Sequence, residues 1–264
     1  MVRRACRYLI REGPVTAQDR WEESSGYSPS TLAAHIAGLI CAAEFLADRG
    51  EHSTAEFVRD YADFLEWHIE RWTVTTRGTL VPGISRHYIR INPGDINHCA
   101  DEDPNCGTVV LANRPPGTRY QFPANDIVDA GFLELVRYGV RSADDSTVQD
   151  SIRVVDAVLK VETPYGPSWR RYNHDGYGQR DDGTSYSDWG AGRPWPLLTA
   201  NVAIMKSLPA TILPRTCGHS RTSHKVLVLY RSKFGTRRTC PRIFFISVDQ
   251  RMLRCRWSEL ILNT

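Results

Sequence analysis

The chain has 264 residues, 41% of them hydrophobic, with 33 Lys and Arg against 30 Asp and Glu for a formal net charge of +3. These values suit one soluble globular domain or part of a larger one. No apolar run approaching the roughly 20 residues of a membrane helix stands out, nor does a signal-peptide core, so no membrane partner or export is expected and the cytoplasm is the default compartment.

Taken in chain order, residues 1–12 place Ala5, Tyr8, Leu9 and Glu12 at helical spacing, and Gly13-Pro14 breaks the pattern. A second helix is predicted after Ser28, where Ser28-Pro29 offers an N-cap and a first-turn proline, and Gly50 ends it. A third opens at Ser53, with Phe57, Tyr61, Leu65 and Ile69 as its packing stripe. Val74 to Pro93 reads as a small hairpin or extended excursion, and 93–123 as a loop too long to be an idle connector. Two more helices are predicted. One is capped by Asn125 or Asp126 and carries Ile127, Leu135 and Val136; the other is capped by Asp145 or Ser146 and stopped by Pro164. A Gly-, Asp-, Tyr- and Trp-rich loop precedes a last helix at Pro196. The pattern implies an all-α array of helical hairpins with its chemistry on loops at one end.

The end of the chain differs in kind. Residues 1–199 hold 21 basic and 28 acidic side chains, a net of −7, whereas residues 200–264 hold 12 and 2, a net of +10. Lys225 to Tyr230 and Ile243 to Val248 are strand-like, set among scattered Arg, Cys and Pro. The tail lacks the interleaved aromatics of a nucleic-acid-binding arm, so no nucleic-acid partner is expected.

Two clusters could carry chemistry. In Gln18-Asp19-Arg20-Trp21-Glu22-Glu23, neighbouring carboxylates oppose each other's ionisation and an indole desolvates them, the setting in which one carboxyl stays protonated and serves as a general acid. A solvated acidic loop with Glu22 or Glu23 as helix-start charges fits the same spacing. The second cluster runs from Trp169 to Gly178 and continues with Tyr186, Trp189, Arg193 and Trp195. Its aromatic faces suit sugar rings and its Arg, Asn and Asp suit hydroxyls, although such rings can also plug helix ends. His174 is the histidine placed in a candidate site; His52 and His68 are read as surface residues. Cys99 and Cys106 beside His98 make a weak zinc pattern and are read as free thiols, Cys6 and Cys41 as buried reduced cysteines, and Asp181 and Asp182 as solvated loop charges, so no metal or other cofactor is expected.

These clusters, together with Gly26-Tyr27-Ser28-Pro29, Asn113-Arg114-Pro115-Pro116-Gly117, Val161-Glu162-Thr163-Pro164-Tyr165-Gly166-Pro167 and Trp195-Pro196-Leu197-Leu198-Thr199, closely resemble the bacterial form of glycoside hydrolase family 15, the glucoamylase and glucodextranase family. The resemblance covers residues 1–199. It implies part of an (α/α)6 barrel and inverting hydrolysis of α-glucosidic bonds from non-reducing ends of an α-glucan or oligosaccharide, with two carboxyls roughly 6.5–9.5 Å apart in a complete site. By the shared motifs, Glu22 falls on the general acid, Asp19, Trp21 and Glu23 on its substrate-binding neighbours, Arg171 on the arginine that binds the terminal sugar, and Trp195 on a site-lining position. The family's earlier helices, with their Arg-Asp motif, and its C-terminal general base have no counterpart here. The chain is therefore expected to be an N-terminally truncated, inactive form, or a non-catalytic carbohydrate-binding remnant.

The genetic code accounts for the tail. Joining the third base of each codon to the first two of the next allows E-R-G-H-Y-E across Ala200 to Lys206, P-E-Q-V-W-D across Tyr230 to Thr236, and G-R-P-T-D-A-A-M-P-L across Ser247 to Trp257, all in one shift. Each resembles the family's own continuation, and the second is its general-base segment. Residues 1–199 are accordingly read as a partial catalytic domain, and 200–264 as an off-frame, non-native tail with no domain of its own.

Overall fold

A computed structural model describes residues 1–93 and 103–207, the last five as backbone only. The strand-like segments of the tail, and His98 with Cys99, lie outside the described residues. The frame is helical: α1 (Val2–Glu12), α2 (Pro29–Asp48), α3 (His52–Thr73), α4 (Leu133–Arg137), α5 (Ser146–Leu159) and α6 (Pro196–Ser207). α2 and α3 form the main helical hairpin. Pro29 occupies the first turn of α2 as expected, but the Ser28 hydroxyl pairs with that of Ser30 instead of capping the helix. At the other end Gly50, with φ 77°, donates its N–H to Ala47 O while Glu51 donates to Leu46 O, the paired bonds of a Schellman stop.

On α3 the buried face is Ala55, Val58, Ala62, Leu65, Ile69 and Trp72, each at most 1% exposed. Phe57 is 58% exposed, which corrects the expected stripe. Steps of four residues drift about 40° around a helix each time, so a stripe of fours leaves the core face that alternating steps of three and four hold. α2 also corrects an expectation: it has 20 residues and an 18-residue stretch of mean hydropathy 1.5, long and apolar enough to cross a membrane. Leu32, Ala33, Leu39 and Ala43 are fully buried in the core, while Cys41, expected to be buried, lies on the exposed side with Ala34, Gly38 and Phe45. The fold turns one face of this helix inward and leaves the other outside.

Among the described residues, three two-stranded antiparallel hairpins sit on this frame. β1 (Val74–Thr75) pairs with β2 (His87–Tyr88), as the excursion predicted. β3 (Thr108–Val110) and β4 (Gln121–Pro123) structure part of the long loop. β5 (Lys160–Thr163) and β6 (Gly166–Trp169) end α5 earlier than expected, Pro164 falling in the turn between them. Asp145 caps α5 by accepting from Thr147 N and Val148 N at 2.8 and 3.1 Å. The helix expected after Asn125 shortens to a 3-10 turn (Ala124–Asp126) followed by α4, because the Asp129 carboxylate takes up Gly131 N at 2.8 Å and holds the intervening backbone in a turn.

The segment from His87 to Asn92 runs extended through the interior, every residue at most 2% exposed. Its backbone is tied to Thr73, Ile127 and Tyr27, the last through bonds of 2.7 and 2.9 Å in both directions with Asn92. Ile89 and Ile91 pack with Val109, Leu111, Phe122, Ile127 and Tyr172 in a second core beneath the loops. Cys106 is disulfide-bonded, not the free thiol expected.

Candidate active site

The acidic cluster folds into a turn built around one buried side chain. Thr16 and Gly26 exchange backbone bonds of 2.9 and 3.0 Å and close the base of the loop. Gly26 is required there: its φ is 142°, and a Cβ would stand 2.1 Å from Asn92 O. Within the loop Asp19, 4% exposed, accepts from the backbone N–H groups of Trp21 and Glu23 through Oδ1 at 3.2 and 3.1 Å, and its own carbonyl accepts from Glu22 N at 2.9 Å. Glu22, at the apex, has φ 61° and is exposed. A left-handed backbone costs a non-glycine residue of order 1 kcal/mol, so the surrounding bonds must hold it.

Two arginines meet this turn from below. Arg90 donates from Nε to Asp19 Oδ2 at 2.8 Å and from Nη2 to Glu23 Oε2 at 3.1 Å, with its guanidinium 3.9 Å from the centre of the Tyr172 ring. Arg171 donates to both oxygens of Asp175 at 2.8 Å and from Nη2 to Glu23 Oε1 at 2.9 Å. The Tyr172 hydroxyl also donates to Glu23, and Asn113 Nδ2 donates to Asp175 Oδ1 at 2.9 Å. Burial opposes the charge of each arginine, but the facing acids more than offset it and both guanidinium pKa values rise. Burial, reinforced by the charge of Asp175, pushes the Tyr172 phenol up, so it remains a donor.

An aromatic wall closes over Arg171. Its guanidinium lies 4.5 Å from the ring centre of Tyr177, 5.4 Å from Trp21 and 5.9 Å from Trp195. Trp21 and Trp195 meet edge to face at 6.2 Å, and the Trp21 indole donates to Asp129 Oδ2 at 2.8 Å. Burial raises the Asp129 carboxyl, partly opposed by the charge of Arg20 and the Gly131 N–H.

The fold thus brings together Asp19, Trp21, Glu23, Arg171 and Trp195, with Glu22 on the same turn at its rim. Glu22 is not buried, in contrast to the desolvated setting the sequence suggested for a general acid. His174 is exposed and stacks on Phe122 at 4.4 Å, apart from the Arg171 cluster. His68, expected at the surface, is half-buried against Phe64 and Trp72. Sequence reasoning gave no role to Arg90 or Asp129 and did not single out Tyr172 or Asp175 within the second cluster. The signal for Arg90 was a lone charge in the run Tyr88-Ile89-Arg90-Ile91, since a buried arginine requires anionic partners.

Known proteins resemble this chain over most of its length. The family model described as Glycosyl hydrolases family 15 matches residues 1–232. A glucoamylase from Clostridium sp. (strain G0005) is 45% identical over 193 residues, 73% of this chain and 26% of that protein. The crystal structure of a bacterial glucoamylase complexed with acarbose aligns with a TM-score of 0.69 at 41% identity, covering 80% of this chain and 30% of that one. The chain therefore spans between a quarter and a third of the length of these relatives, and its helical frame is part of an (α/α)6 barrel.

Proposed function

Because the chain belongs to glycosyl hydrolase family 15, we propose that the Asp19–Glu23 turn and the Arg171 clamp form the sugar-binding and proton-donating half of a glucoamylase-type site. The observation that carries this reading is the meeting of Glu23 with Arg171 at 2.9 Å, two residues 148 positions apart, beneath Trp21, Tyr177 and Trp195. The indole and phenol faces suit the apolar faces of a glucose ring. Arg171, already fixed by Asp175, offers its remaining N–H groups to sugar hydroxyls. Glu22, exposed at the rim, is the carboxyl free to protonate the oxygen of the departing α-glucoside. Water would attack the opposite face of the sugar, with inversion, under a second carboxylate that the sequence as it stands does not supply. We therefore propose an α-glucan or oligosaccharide ligand that is bound without turnover.

Titration calorimetry with acarbose, alongside a glucose-release assay on maltooligosaccharides, tests this. Saturable acarbose binding, a loss of at least fivefold in affinity in Glu22→Gln, and no glucose release are expected. Folded protein that does not bind acarbose would overturn the reading, and sustained glucose release would overturn the absence of turnover. The exposed pair Tyr177 and Tyr186, with ring centres 4.9 Å apart and planes tilted by 45°, favours a second reading as a carbohydrate-binding remnant. In that case Glu22→Gln leaves acarbose affinity unchanged while Arg171→Ala abolishes it.

A further inference from the structure

We propose that Arg90 is the positioning residue of the acid-bearing turn: one buried guanidinium grips both carboxylates that flank Glu22 and thereby fixes where Glu22 is presented. This rests on the reading of Glu22 given above, but the structural part stands by itself. Arg90 is 1% exposed and sits on the extended segment whose backbone is tied to Ile127 at 2.8 Å, so its anchor belongs to the core, not to the loop it holds. From there Nε and Nη2 reach Asp19 Oδ2 at 2.8 and 2.7 Å, and Nη2 reaches Glu23 Oε2. The other Asp19 oxygen receives the backbone N–H groups of Trp21 and Glu23, on either side of Glu22. The chain of contacts therefore runs from core backbone through Arg90 to Asp19 and into the two peptides that hold Glu22 in its left-handed conformation.

Neutralisation alone does not explain the arrangement. A buried ion pair gains little net stability, because desolvation offsets the attraction. The bonds instead use the geometry of the group: a planar fork spans two carboxylates, which a lysine ammonium, as a point charge, would not do in the same way. The Tyr172 ring, 3.9 Å from the guanidinium centre, fixes the plane of the fork, and its hydroxyl donates to the same Glu23 oxygen, Oε2, that Arg90 reaches.

Amide hydrogen exchange resolved by residue, combined with acarbose titration, tests the proposal in Arg90→Met and, should that variant fail to fold, in Arg90→Lys. A positioning role predicts a drop of at least tenfold in protection of the Trp21 and Glu23 amides, with α2 and α3 amides unchanged, and a parallel weakening of acarbose binding. A packing role lowers protection across the core and does not single out those two amides. Unchanged protection of the turn overturns the proposal whether or not acarbose binds. Selective loss of protection in a protein whose wild type never binds acarbose upholds the positioning of the turn and instead sinks the assignment of the site.

Discussion

The Trp21 indole nitrogen donates to Asp129 Oδ2 across 2.8 Å, joining the acidic turn to the backbone turn that precedes α4. Asp129 is 3% exposed, and its second oxygen holds Gly131 N. Replacing it with Asn leaves one carbonyl oxygen for two donors, so Asp129→Asn is expected to lose about 1–3 kcal/mol of stability at pH 7. Because the folded state raises this carboxyl, its ionisation opposes folding, and its contribution is most favourable below the unfolded value near 4 and fades as pH rises through the folded value. The gap between wild type and Asp129→Asn in urea unfolding should therefore widen as pH is lowered from 7 toward 4. A gap independent of pH would show that Asp129 is not buried as a titrating group.

The junction of α3 and α4 depends on Arg141. Its Nε and Nη2 take both oxygens of Glu70 at 2.7 and 2.9 Å, and Nη1 takes Glu66 Oε1 at 2.9 Å. Burial raises the Glu70 carboxyl, but the bonds and charge of Arg141, with the Tyr88 hydroxyl at 2.7 Å, more than reverse it and the net direction is down. Arg141→Met strands Glu70 in a half-buried position and is expected to cost about 2 kcal/mol or more at pH 7. Since the Glu70 carboxyl is depressed in the fold, this contribution is present above about pH 4.3 and is lost as pH falls through the folded value. Denaturation midpoints of wild type and variant should converge in acid; midpoints that stay equally far apart would contradict this role.

How far the site was legible in the sequence depends on the range of the interactions. The turn at 18–23 and the loop at 169–178 carry their chemistry in adjacent residues, so composition pointed to both before any contact was known. Their mutual contact, Glu23 on Arg171, spans 148 positions and was in neither periodicity nor resemblance, which only assigned each residue separately to sugar binding. Arg90 stayed hidden because a lone arginine in an apolar run signals that anionic partners are needed but not which ones; only the fold reveals the two acids it faces. Phe57 misled because a four-residue spacing mimics a core stripe, and α4 came out short because one carboxylate, Asp129, captured a backbone N–H that a longer helix would have needed.

His87 gives the fold a response in the neutral range. It is fully buried, Nδ1 lies 3.0 Å from Tyr88 O, and Nε2 has no hydrogen-bond partner among the described residues. Burial lowers its pKa, partly offset by the bond to Tyr88 O and the charges of Asp126 and Asp150. A histidine depressed in the folded state stabilises above its unfolded value near 6.5 and loses that contribution as pH falls toward the folded value. Thermal melts should fall below pH 6.5 in wild type, with a weaker decline in His87→Gln. Parallel declines in both proteins would place the titration elsewhere.

The off-frame reading of residues 200–264 makes a prediction at the level of DNA. α6 runs without a break from Pro196 to Ser207, past the position where the shift is inferred, and Val202 is buried, so helix formation does not mark the join. Codon choice does. If a single G was lost near the codons for Thr199 and Ala200, the shifted frame must encode all three family-like runs through to Trp257, because one deletion moves every later codon by the same step. Sequencing from codon 195 to the stop should find bases compatible with each run, and restoring one G should return the P-E-Q-V-W-D segment that carries the expected base. Codons incompatible with the three runs would leave the tail's charge of +10 unexplained by a shift, and residues 200–264 would then stand as genuine coding sequence.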